Sequence, residues 1–109
     1  MTKTITGKYG ILGTVDTDSY LSDMQRTCSL FFKTPHGKHE TFQVYKGQLI
    51  VRNTVKLDNT TTAHRTTVYL YLKEEDNHYG LFCVSSNKQV GSIKQAKQLI
   101  DTILTSGQY

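Results

Sequence analysis

Apolar residues in this chain recur mostly at every second position, in short runs separated by polar turns. That is the pattern of half-buried strands. The run from Lys8 to Val15 puts Tyr9, Ile11 and Val15 on one face, and Gly10 and Gly13 weaken it or mark a bulge. Asp16 to Asp23 is polar and acidic and reads as a loop with room for one helical turn. Arg26 to Thr34 reads as a strand, with Cys28, Leu30 and Phe32 on one side and Thr27, Ser29, Phe31 and Lys33 on the other. Pro35-His36-Gly37-Lys38 is turn chemistry and predicts a hairpin to a strand from His39 to Lys46. Lys46-Gly47 marks a second tight turn, followed by a strand from Gln48 to Lys56 with Leu49, Val51 and Val55 sharing a face. These three strands form a predicted meander.

The polar stretch Asp58 to His64 reads as an exposed loop or hairpin tip. Arg65 to Lys73 alternates most clearly, with Val68, Leu70 and Leu72 against Thr67, Tyr69, Tyr71 and Lys73. A polar loop from Glu74 to His78 leads into a strand from Tyr79 to Val84. Ser85 to Lys88 turns the chain, and Gln89-Val90-Gly91 reads as a short edge strand.

The period then changes from two to 3.6. Ile93, Ala96, Leu99, Ile100, Ile103 and Leu104 form one helical stripe. Ser92 and Gln95 fit a capping box at its start, and Gly107 is a natural stop. The expected fold is a single α+β domain. An antiparallel sheet of about six strands, open or curled into a barrel, carries one C-terminal amphipathic helix on one face. The other face is where function is to be sought.

Composition narrows the class. The 109 residues are 37% hydrophobic and 20% charged, with thirteen Lys and Arg against nine Asp and Glu, giving a net charge of +4. The polar excess is Thr, Ser, Gln and Asn rather than charge, which argues against pure disorder. No apolar run approaches a membrane span or a signal peptide, so a cytoplasmic protein without membrane contact is expected. Cys28 and Cys83 sit in apolar runs and read as buried free thiols, though a disulfide between neighbouring strands stays open.

The charge is uneven. Residues 26 to 56 hold Arg26, Lys33, Lys38, Lys46, Arg52 and Lys56 against Glu40 alone. Cations interleaved with rings are what a single-stranded nucleic acid needs, because cations release counterions from phosphates and rings stack on bases. The face away from the helix is therefore expected to present Phe31, Tyr45, Tyr69 and Tyr71 for stacking and Lys33, Lys46, Arg52 and Lys73 for phosphates. The alternative is a protein-interaction module or inhibitor that captures a host protein, or homodimerises, through that face. His36 and His39 are spaced as weak metal ligands, but no nearby acid or thiol completes a set. Without a nucleophile elbow or a phosphate loop, no enzyme and no cofactor is expected.

The run Tyr79-Gly-Leu-Phe-Cys-Val-Ser-Ser-Asn-Lys-Gln-Val-Gly-Ser-Ile-Lys-Gln-Ala-Lys-Gln-Leu-Ile-Asp101 resembles the strand–turn–strand–helix endings of small proteins carried by bacteriophages and other mobile elements. Gly91-Ser92-Ile93, Ala96-Lys97 and Ile100-Asp101 carry that resemblance. It implies an accessory role, such as coating single-stranded DNA or blocking a host protein, and assigns no residue.

Overall fold

The computed structural model describes residues 1–33, 40–86 and 88–109. Six antiparallel strands form one open sheet: β1 (Thr2–Gly7), β2 (Gly10–Asp16), β3 (Thr41–Tyr45), β4 (Gln48–Lys56), β5 (Thr62–Lys73) and β6 (Tyr79–Cys83). Among the described residues, three α-helices, α1 (Leu21–Thr27), α2 (Ser29–Lys33) and α3 (Ile93–Ser106), and a short 3-10 turn at Glu75–Asn77 complete the fold. The expected α+β class holds, and the sheet does not close into a barrel.

Strand β5 is the spine. Its Thr62–Tyr69 stretch pairs with β4, its Leu72 and Lys73 with β2, and its Tyr69–Lys73 stretch with β6 on the opposite edge. Strands β4 and β2 thus share one edge of β5 and leave a seam between them. Gln48, fully buried, closes that seam. Its Oε1 accepts from the Tyr71 N–H at 2.9 Å, and its Nε2 donates to the Lys46 carbonyl at 2.9 Å. One side chain thereby replaces a missing ladder bond, which a buried N–H requires.

The first face of the sheet packs on α3 as its stripe predicts. Ala96, Ile100, Ile103 and Leu104 are buried against Ile5, Val15, Ile50, Val68, Leu70, Leu72 and Val84. Ser92 caps α3 by accepting from the Gln95 N–H at 3.2 Å. The Gln95 side chain returns to the Gly91 N–H, one residue before the cap. Gly107 ends the helix at φ 69°.

The opposite face departs from expectation. The segment read as a strand from Arg26 to Thr34 is helical over α1 and α2 as far as Lys33, so the predicted meander loses its first strand, and β3, β4 and β5 form one instead. Leu21, Met24, Cys28, Phe31 and Phe32 follow the i, i+3, i+4 rule, and this second period prevails. Leu30, which alternation would bury with Cys28 and Phe32, is 80% exposed. Helices α1 and α2 cover a second core of Met24, Leu49, Val51 and Tyr71, flanked by Phe42, Val44, Tyr69 and Leu81. The Pro35–Lys38 turn, and His36 and His39 with it, lies outside the described residues.

Other expectations hold or shift slightly. Lys46 (φ 49°) and Gly47 (φ 76°) make the two-residue hairpin turn between β3 and β4. The glycine-flagged bulge is real: register slips between Ile5 and Thr6, leaving Leu12 as the extra residue. The N-terminal run is two strands rather than one, because Thr2–Gly7 pairs as well. Tyr9 and Ile11 are 94% and 75% exposed, so they do not share the buried face of Val15. Gln89-Val90-Gly91 is not a strand. Among the described residues, no helix is long and apolar enough to cross a membrane.

Candidate functional site

The rings and cations expected on one open face are dispersed, and the face itself is covered. Tyr71 is 4% exposed. Its hydroxyl donates to Thr27 Oγ1 at 2.7 Å, and Thr27 in turn donates to the Asp23 carbonyl. This relay pins α1 to the sheet. Phe31 meets the Tyr69 ring edge-on at 5.1 Å, and Phe32 packs on Phe42 at 5.0 Å. Burial pushes the Tyr69 and Tyr71 phenols above their ordinary value.

Tyr45 lies on the α3 side, where its hydroxyl donates to Asp101 at 3.1 Å. Lys46 reaches the same carboxylate at 2.6 Å, and this contact raises the lysine and lowers the acid from their usual values. Arg52 pairs across the sheet with Thr41 and Thr66, on the face that packs on α3. Lys33 ends α2 on the surface, and Lys73 lies 5.9 Å from the Tyr79 ring centroid. The proposed stacking surface of Phe31, Tyr45, Tyr69 and Tyr71 therefore does not exist as one face. The physical reason is that alternation fixes which side chains share a face but not what covers that face.

A different concavity joins some of these residues. Strand β6 stops at Cys83, whereas β5 continues toward Thr62 with no strand on that edge among the described residues. Val68 is the last residue served there. Its N–H donates to Ser85 Oγ at 3.0 Å, and its carbonyl accepts from the Val84 N–H at 3.0 Å. Backbone direction alternates along a strand, so the N–H and carbonyl of Thr66 point to the same open edge.

A cleft of about 490 Å³ occupies that position. Phe31 and Tyr69 form its apolar wall, Asn53, Thr67 and Ser85 its polar lining, and Arg65 and Lys88 its charge. Thr66 is 7% exposed, and its hydroxyl has no hydrogen-bond partner among the described residues. An unpartnered buried hydroxyl is costly, and this one lies in the cleft lining with its oxygen closed to solvent.

The cleft opens at the root of an arm formed by the outer halves of β4 and β5. That arm carries Arg52, Lys56 and Arg65. Its one acid, Asp58, accepts from the Thr60 and Thr61 N–H groups at 2.8 and 2.6 Å, which lowers its pKa and fixes the turn. Of the residues expected to bind nucleic acid, Phe31 and Tyr69 line the cleft and the other six do not. Arg65 was visible as the start of an alternating strand. Thr66, Asn53, Ser85 and Lys88 carry no sequence signal, because they matter only where β6 falls short of β5.

Cys28 and Cys83 are free and partly buried thiols, and burial raises that of Cys28. Among the described residues, no group of His, Cys, Asp or Glu is arranged to hold a metal. The site thus belongs to an α+β protein with a six-stranded sheet between two helical layers and a cationic cleft at an unpaired strand edge. The chain matches no family model, no curated protein and no solved structure.

Proposed function

We propose that this is a non-enzymatic binding protein for single-stranded nucleic acid, and that the cleft at Thr66 takes a nucleotide while the adjoining arm follows the phosphates. One observation carries the reading. The cleft brings aromatic edges from Phe31 and Tyr69, an amide from Asn53, an unpartnered hydroxyl from Thr66 and the cations Arg65 and Lys88 into about 490 Å³. A base needs an apolar wall and hydrogen-bonding groups, and a phosphate needs cations. Arg52 and Lys56 add charge along the arm.

Fluorescence anisotropy with a labelled oligothymidine at rising salt tests the proposal. If about three cations meet phosphates, log affinity should fall against log salt with a slope near −2. Arg65→Glu should weaken binding about tenfold and flatten that slope. Thr66→Val should separate site from scaffold. Removing a buried, unpartnered hydroxyl should leave the melting temperature unchanged or raise it, while the affinity falls. Absence of binding at low salt, or affinity indifferent to salt and to Arg65, would overturn the proposal.

A further inference from the structure

Strand β6 is an edge strand whose own sequence carries none of the usual protection. Val84 donates inward to Val68, so alternation turns the N–H and carbonyl groups of Tyr79, Leu81 and Cys83 outward. Among the described residues, no hydrogen bond reaches these outward backbone groups. The strand reads Tyr-Gly-Leu-Phe-Cys, with no charge, no proline and no bulge to discourage another strand. Beside it runs a groove of about 340 Å³ between β6 and the α1–α2 layer. Leu30 at 80% and Tyr79 at 42% exposure flank that groove.

The two ends of β6 carry opposite charge. Glu74, Glu75 and Asp76 precede it, and Lys88 follows it, with Arg65 nearby across the cleft. Among the described residues, none of these five makes an ion pair within the chain. An edge that is acidic at one end and basic at the other is complementary to itself when run antiparallel.

We propose that β6 pairs antiparallel with β6 of a second copy about a two-fold axis at Leu81, continuing the sheet across a homodimer. This register uses all three outward residues: Leu81 faces the partner's Leu81, and Tyr79 faces the partner's Cys83. The same pairing sets the acidic turn at Glu74–Asp76, which precedes β6, at the end of the partner strand that Lys88 follows. The Leu30 side chains of the two copies close over the new strand pair from the helical side. The inference does not rest on the nucleic-acid reading, and its test contains no nucleic acid.

Sedimentation equilibrium of the full chain should give twice the 12.4 kDa chain mass. Tyr79→Pro removes one outward donor at the first position of the strand, where proline is tolerated. It also gives up the stacking of Tyr79 on Tyr71, so circular dichroism accompanies the measurement. This variant should sediment as a folded monomer. Lys88→Glu should raise the dimer dissociation constant at least tenfold. Combining it with Glu74→Lys and Glu75→Lys should restore the dimer, because each end then meets its complement again. A monomeric wild-type chain would overturn the proposal. So would a dimer indifferent to Lys88→Glu, or one that Lys88→Glu breaks and the triple exchange fails to restore, whether or not Tyr79→Pro folds.

Discussion

Gly47→Ala should destabilise the protein by about 2–5 kcal/mol, the combined size of a forced left-handed residue and an overpacked contact. Gly47 sits at φ 76°, which costs any residue with a Cβ. The steric conflict adds to this. A Cβ built at Gly47 would lie 2.0 Å from the Asp16 carbonyl oxygen, which is backbone and cannot swing aside. The turn between β3 and β4 is therefore pressed against the end of β2, and moving it disturbs the seam that Gln48 closes. Urea denaturation read by circular dichroism measures the loss. A change below about 1 kcal/mol, the size of an exposed glycine replacement, would mean the turn does not pack there.

Met24→Ala should cost about 2–5 kcal/mol, the range for truncating a fully buried side chain. Met24 is 0% exposed and is the one buried residue of α1. It anchors the short α1–α2 layer over Leu49, Val51 and Tyr71. Helices this short hold no structure alone, so their packing is their stability. Loosening the layer should also expose the tyrosines beneath it. Acrylamide quenching of tyrosine emission should rise in Met24→Ala under conditions where far-ultraviolet circular dichroism still shows the sheet. Unchanged stability and quenching would show that this face is not sealed.

Legibility of the sequence followed the length and purity of each pattern. The α3 helix was readable because its stripe, serine cap and glycine stop agree over fourteen residues. The core half of β5 was readable because Val68, Leu70 and Leu72 alternate without interruption. Strand β1 was hidden, since Ile5 is the sole buried residue of Thr2–Gly7 and a single apolar residue shows no period. The segment around Phe31 is ambiguous for a different reason. Its apolar residues satisfy a period of two over Cys28, Leu30 and Phe32, and a period of 3.6 over Met24, Cys28 and Phe31. Only tertiary packing decides between them.

That single ambiguity propagated into the site. A strand in that segment would leave Tyr69 and Tyr71 uncovered and turn an inner face into an outer one. The kinds of residue sought, rings beside cations, do meet in the structure, but at the strand edge near Thr66 rather than across the sheet. Edge positions depend on where a neighbouring strand ends, a long-range property that no local pattern encodes.

The most direct test of this account is an amide chemical-shift titration of the isotope-labelled protein with a short oligothymidine. Arg65, Thr66, Thr67, Ser85, Ser86 and Lys88 should shift first and most, with the arm following and the α3 surface unmoved. Saturating shifts confined to another surface, or none at all at low salt, would contradict it.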